Sequence, residues 1–160
     1  MLNVKIICLG RLKERYLQDA CAEYVKRLTP FCKHNIIELN PEPLPGKPSE
    51  AQIKAALEAE SKKILAEIPN GAYVYAMCIE GKQRSSEAFS KDLEKIAISG
   101  KSNIVFIIGS SFGLSDTVKD RADARFSMSE MTFPHQLARI MLLEQIYRAF
   151  EISSGGKYHK

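Results

Sequence analysis

Tyr158, His159 and Lys160 place an aromatic ring, an imidazole and an ammonium at three successive positions, behind the polar run 153–157. Imidazole titrates near neutral pH, so His159 is a candidate general base. Tyr158 offers a platform for a base splayed out of an RNA loop, and Lys157 and Lys160 can pair with phosphates. The plain alternative is a solvated basic tail. A second constellation, Ser127-Met128-Ser129-Glu130-Met131-Thr132-Phe133, stands just before Pro134. Met128, Met131 and Phe133 fall in a loop-like stretch, where apolar side chains need a reason other than a helix core. An adenine or another flat ring held between them is one. Glycine marks two further loops, Glu80-Gly81-Lys82 and Gly109-Ser110-Ser111-Phe112-Gly113. It permits close backbone approach to a ligand, or simply a turn with positive φ. Lys82, with Arg84 close behind, adds charge suited to phosphates.

Other chemistries find less support. The run G-S-S-F-G is neither a dinucleotide fingerprint nor a P-loop, and no Gly-Lys-Ser/Thr follows it. It is not a nucleophile elbow either, which disfavours a serine hydrolase. His34, His135 and His159 show no metal-ligand spacing, so no metal is expected. His135, in the first turn of a helix, reads equally well as a locally bonded side chain or a functional one. Cys8, Cys21, Cys32 and Cys78 form no C-x-x-C, and Cys8 and Cys78 sit in apolar, strand-like runs. They read as small buried hydrophobes in a reducing cytosol.

These residues need elements to hold them. Residues 4–9, 35–39, 72–79, 103–108 and 125–128 read as strands. Helices are expected over 14–28, over 49–68 behind a capping box at Ser49, from a Ser86 cap to Gly100, over 115–123, and over 134–152. The proline-rich run 40–48 is a loop. Strands apolar throughout and alternating with helices indicate an α/β fold, a mostly parallel sheet with helices on both faces. In such sheets ligands bind outside the carboxyl ends of the strands, where all three candidate loops fall. The last helix carries two apolar stripes, Ile140/Leu143/Tyr147/Phe150 and Leu142/Ile146/Ala149. A surface helix needs one, so one stripe, either of the two, is expected to face another copy of the chain, with Ile146 chosen as the residue that tests it. Two glycines after it, Gly155 and Gly156, predict a flexible tail.

With 160 residues and 17.9 kDa, the chain reads as a single domain, 1–160, burying roughly 70% of its unfolded surface. A net charge of +4 and a pI near 8.8 suit nucleic acid but also many enzymes of small anions. No run approaches the ~20 apolar residues of a membrane span, and no signal peptide opens the sequence. A cytoplasmic protein is expected.

Ile107 to Ser115, Ser129 to Gln136, Glu144 to Ala149 and the Tyr158-His159-Lys160 ending together resemble the RlmH family, bacterial SPOUT-class methyltransferases that act on RNA. The resemblance spans the chain and implies a C-terminal trefoil knot, a homodimer and S-adenosylmethionine as methyl donor. It also implies N3 of a pseudouridine in the helix 69 loop of 23S rRNA as acceptor, on the ribosome. Carried onto this sequence, the donor site is Met77, Gly109, Met128, Ser129, Glu130, Met131, Thr132 and Phe133. Where the family often has a second glycine, Ser110 stands here; if its φ were positive, strain on the order of 1 kcal/mol is expected.

Such a transfer requires alignment of nucleophile, methyl carbon and sulfur, and loss of the N3 proton. The expected catalytic group is His159 with Tyr158, and Arg139 or Arg148 stabilising the developing imidate. Lys160, Lys82 and Arg148 would hold the RNA. The competing classes are an RNA-binding module without chemistry, and a nucleotide-binding Rossmann-like enzyme; binding of S-adenosylmethionine separates them.

Overall fold

Strands form where apolar side chains are buried on both faces, and helices where only one face needs cover. The computed structural model describes all 160 residues. In chain order it has β1 (Asn3–Leu9), α1 (Arg15–Leu28), β2 (Lys33–Leu39), α2 (Glu50–Ala66) and β3 (Tyr73–Gln83). Then come α3 (Ser86–Ile98), β4 (Asn103–Ile108), α4 (Asp116–Arg121), β5 (Ala124–Ser127) and α5 (His135–Ser153). The sheet runs β2-β1-β4-β3-β5, and every pairing is parallel.

Alternate residues of the central strands serve two separate cores, as the period of two requires. Val4, Ile6, Cys8, Ile104, Phe106, Ile108 and Tyr75 meet Leu28 of α1, Phe89, Leu93 and Ile96 of α3, and Leu142, Leu143, Ile146 and Ala149 of α5. On the other face Ile7, Leu9, Val74, Ala76, Val105 and Ile107 meet Ile64 of α2, Val118 of α4 and Leu114. Cys8 and Cys32 belong to the first core, where burial pushes each thiol up to about 11.

Helix starts follow local chemistry. Ser49 and Gln52 exchange the two hydrogen bonds of a capping box, and Ser115 caps α4. The cap of α3 is Ser85 rather than Ser86. Pro134 is the residue before α5, so the helix begins at His135. β3 is longer than expected and takes in Glu80-Gly81-Lys82, which is therefore no exit loop.

Two expectations about α5 are corrected. Both its stripes are used within the chain: Leu142, Ile146 and Ala149 are at most 2% exposed, and Phe31 stacks on Phe150 and meets Tyr147 edge-on. α5 lies between α1, α3 and the sheet, so Ile146 is not partner-facing, while Tyr147 and Phe150 of the other stripe stay half-buried. The glycines also do not loosen the tail. Gly155, with φ of 75°, donates to the Ile152 carbonyl, and Gly156 donates to that of Glu151. This is a Schellman stop.

Replacing Ile146 therefore tests the core rather than an interface. Ile146→Ala should lower the unfolding free energy by about 2–5 kcal/mol in urea titrations. The native mass measured by sedimentation should not change.

Candidate active site

The irregular stretch 77–80 of β3 and the exits of β4 and β5 lie at the same edge of the sheet and enclose a cleft of about 740 Å³, within the usual range for a small-molecule site. Three segments line it: Met77 to Glu80, Ile108 to Leu114, and Phe126 to Ser129 continuing through Met131, Thr132, Phe133, Pro134 and His135. Of the residues carried over for the donor site, the cleft gathers Met77, Gly109, Met128, Ser129, Met131, Thr132 and Phe133; Glu130 does not line it. Glu80, from the glycine-marked run, and Cys78, read as a small buried hydrophobe, also line it, as do Ile79, Lys119 and Ala138, which nothing in the sequence marked.

The first wall is an irregular strand. Phe126 of β5 pairs with Met77 and again with Lys82, so β3 advances past one residue of its neighbour while 78–81 swing outward. A Cβ on Gly81 would lie 2.7 Å from the Arg125 carbonyl carbon and from the Phe126 nitrogen. Close approach is thus the reason for this glycine, but the approach is to β5 and not to a ligand. The second wall is the loop after β4. A Cβ on Gly109 would run into the Gly113 carbonyl group, and the Gly113 N–H donates to the Ser110 carbonyl at 2.9 Å. Gly113 takes the positive φ, and no other residue type in the chain does. Ser110 does not take positive φ, so the condition for strain there is not met. Its hydroxyl donates to the buried Glu60 carboxylate, which also accepts from the Glu42 N–H and so ties the loop to α2 and the proline-rich run.

The third wall is held by its own serines: Ser127 Oγ donates to the Ser129 carbonyl, and Ser129 Oγ accepts from the Met131 N–H. Met131 is 73% exposed at the mouth. Across the cleft Lys119 donates to Glu80 and holds that carboxyl below its ordinary range. Burial, with Arg139 and Lys13 nearby, lowers the pKa of His135, so its ring is neutral at pH 7. The lining is largely apolar, with one internally paired couple of charges.

The remaining candidates lie elsewhere. Arg139 is 3% exposed; it donates to Glu38 at 2.7 Å and to the Gly10 carbonyl at 3.1 Å, and its Nε is buried without a partner. Turned into the core, it lines neither the cleft nor the cavity beside it, which corrects the expectation of an arginine aimed at an acceptor. Burial took it, and sequence could not say which arginine would be desolvated. The tail instead gathers around Glu144, which the sequence reading had quoted within a family motif but given no role. Glu144 Oε1 accepts from Arg148 Nε at 3.0 Å and from the Tyr158 hydroxyl at 3.0 Å. Burial and that bond push Tyr158 up to about 12, so it stays protonated. Tyr158 packs edge-on against Tyr147, and the Arg148 guanidinium lies 4.6 Å from its ring centroid. Arg148 also donates to His159 Nδ1 at 3.1 Å. An arginine only donates, so Nδ1 accepts and Nε2 carries the proton towards Glu87, 2.7 Å away. Lys160 and Lys82 are exposed.

A second cavity, about 490 Å³, links the two groups: Phe126 and Met128 border both it and the cleft, and Glu144 lines its far side with Arg84, Ser85 and Ser86. A small-molecule cleft thus opens beside a second chamber, and Glu144, which lines that chamber, is the carboxylate on which Tyr158 of the tail docks.

A family model described as "Predicted SPOUT methyltransferase" matches residues 2–159. The protein of Lactobacillus acidophilus named Ribosomal RNA large subunit methyltransferase H is 50% identical over 159 residues, covering 99% of this chain and 100% of its own. Proteins of the same name from Streptococcus thermophilus and Clostridium acetobutylicum are 52% and 51% identical with the same coverage. Among solved structures, a probable methylase family protein from Haemophilus influenzae Rd KW20 aligns with a TM-score of 0.56 and 12% identity. That alignment covers 99% of this chain and 71% of the other, a likeness of fold alone.

The two glycines that admit close backbone contact should be the costly ones to replace. Gly81→Ala and Gly109→Ala should each lower the unfolding free energy by about 1–3 kcal/mol. Gly46→Ala, where a Cβ would meet nothing within 4 Å, should change it by less than about 0.5 kcal/mol. Urea denaturation of the three variants checks this.

Proposed function

Because the chain belongs to the SPOUT methyltransferase family, we propose that it is a cytoplasmic enzyme that methylates large-subunit ribosomal RNA from S-adenosylmethionine. The specific reading is transfer to N3 of a pseudouridine in the helix 69 loop of 23S rRNA on the ribosome. The observation that carries the donor assignment is the cleft itself. The irregular stretch of β3 and the exits of β4 and β5 bring Met77, Met128, Met131 and Phe133 around a volume suited to an adenosyl group, beside the close-packed Gly109 loop. No group of three His, Cys, Asp or Glu side chains is brought together in the chain, and none is needed by the reaction proposed. The family also carries the trefoil knot.

The donor supplies an activated methyl group on sulfur. What the chain must supply is alignment and a destination for the N3 proton. Loops 109–113 and 128–133 fix the donor's position, and the chamber between Met128 and Glu144 admits the acceptor base. His159 accepts the N3 proton once its Nδ1 is released by Arg148, and the freed Arg148 guanidinium stabilises the imidate charge. Tyr158, protonated, stacks on the base and donates a hydrogen bond. Lys160 and Lys82 hold phosphates. Arg139 positions the Gly10 turn through its carbonyl bond and does not touch the acceptor.

From Ala138, at the cleft, to Ser153 the helix climbs about 22 Å at 1.5 Å per residue. Residues 154–160 span at most about 25 Å fully extended, and the tail folds back along its own α5 to dock on Glu144, so it reaches its own chain's chamber without a partner. A homodimer is carried by the family resemblance, through a contact between copies that adds the partner's tail to the site. Leu137, 41% exposed on α5, supplies apolar surface for such a contact.

Titration calorimetry in EDTA should show saturable S-adenosylmethionine binding that Gly109→Val abolishes. Absence of heat in the wild type rejects the methyltransferase reading. His159→Ala should keep that binding while turnover on ribosomes falls by ~10²–10⁴.

Mixing tests the shared site. Gly109→Val and a chain lacking 158–160 should each be inactive, and a mixture should regain activity because one copy's cleft meets the other's tail. A mixture that stays inactive, or a wild-type mass near 17.9 kDa by sedimentation at micromolar concentration, removes the dimer.

A further inference from the structure

β5 is the outer strand of the sheet, and no further strand covers it. Beside it a groove of about 430 Å³ runs between β3, α3 and β5. Four cations line it, Lys82 and Arg84 from the end of β3 and the turn after it, Lys95 from α3 and Arg125 from β5, against a single anion, Asp92. Four minus one leaves an excess of three positive charges, close to the +4 of the whole chain. Arg84 is spoken for by two bonds to Asp92, at 2.7 and 2.8 Å. Arg125 pairs with Asp120, but both are largely exposed, and such pairs are weak. Lys82 and Lys95 are exposed, and neither has an ion-pair partner. The floor is aromatic: Tyr75 is buried, and Tyr73 lies against it at 5.1 Å between ring centroids.

The groove is not isolated. It shares Arg84 and Phe126 with the chamber proposed for the acceptor base, and that chamber shares Phe126 and Met128 with the donor cleft. The cationic groove, the chamber and the cleft therefore adjoin one another in turn, each sharing a wall with the next.

We propose that this edge groove binds the phosphodiester backbone of the RNA strand that leads to the acceptor nucleotide. Lys82, Lys95 and Arg125 contact phosphates, Arg84 stands where the strand turns into the chamber, and Tyr73 offers a ring to a ribose or base. The destination of the strand rests on the methyltransferase reading; the affinity of the groove for RNA does not. An acidic protein segment is the other polyanion that such charges attract. It fits less well, because a peptide strand has no reason to continue into a chamber beside the donor cleft.

Fluorescence anisotropy of the full chain with a labelled 15-nucleotide single-stranded oligouridylate, from 25 to 200 mM KCl, tests the groove. Lys82→Ala/Lys95→Ala removes two unpaired side chains, so the fold and S-adenosylmethionine affinity should persist. The dissociation constant should rise at least fivefold at low salt. The slope of log affinity against log salt should fall by about 1.4, at roughly 0.7 for each phosphate contact on a single strand. Lys54→Ala/Lys62→Ala, an equal change of charge on α2, should leave the slope alone. The proposal is overturned by an unchanged slope in the groove variant, or by an equal loss in the α2 variant. It is also overturned by hexaglutamate competing as strongly as unlabelled RNA, which would make the groove a protein-docking surface. RNA binding with the expected slope but no methyl transfer by the wild type would sink the enzymatic reading and leave the groove standing.

Discussion

Everything near the cleft depends on how Phe126 is held. Its ring meets Phe89 at 5.1 Å and Tyr75 at 5.8 Å, both edge-on, while Tyr75 stacks on Phe106 at 4.9 Å. The four rings come from β3, α3, β4 and β5 and close one end of the first core. Edge-to-face contacts of this kind contribute about 0.5–1.5 kcal/mol each beyond area burial. They fix β5, a strand of four residues that has a sheet neighbour on one side only. With β5 fixed, β3 can pair with Phe126 twice and throw 78–81 outward. The cleft, the adjoining chamber and the cationic groove all border this one side chain.

The central strands were legible in the sequence because parallel strands buried on both faces are apolar along most of their length; 103–108 is the clearest case, with matching bounds and five apolar residues after Asn103. The failures have physical reasons. Glu80-Gly81-Lys82 has turn composition, and only the pairing partner shows that the glycine is there to touch β5. α5 looked doubly apolar because three neighbours flank it, and a sequence pattern cannot distinguish an internal neighbour from a second copy. The signal after α5, two glycines, was read as looseness, although a glycine just past a helix end more often stops it.

For the site, the sequence located loops better than side chains. The positions assigned around 77, 109 and 128–133 converge on one cleft because strand exits must converge in such a sheet. Arg139 and Arg148, in contrast, are nine residues apart on one helix and share a residue type, yet one is turned into the core and the other lies against the tail. Desolvation separates them, and it depends on neighbours such as Glu38 and Glu144 that are remote in sequence or unremarkable by type. His159 and Tyr158 came out as residues that act together, but the carboxylate that organises them did not announce itself.

The double pairing of Phe126 has an evolutionary side. Because β3 is in register with β5 both before and after 78–81, the number of residues in the excursion is not fixed by the sheet. A residue gained or lost there is absorbed as slack and changes neither β5 nor the four-ring cluster beneath it. The wall of the cleft is thus free to diverge in length and composition while its foundation stays constant. Gly81 alone is excluded from that freedom, since it is the point where the slack is tied off.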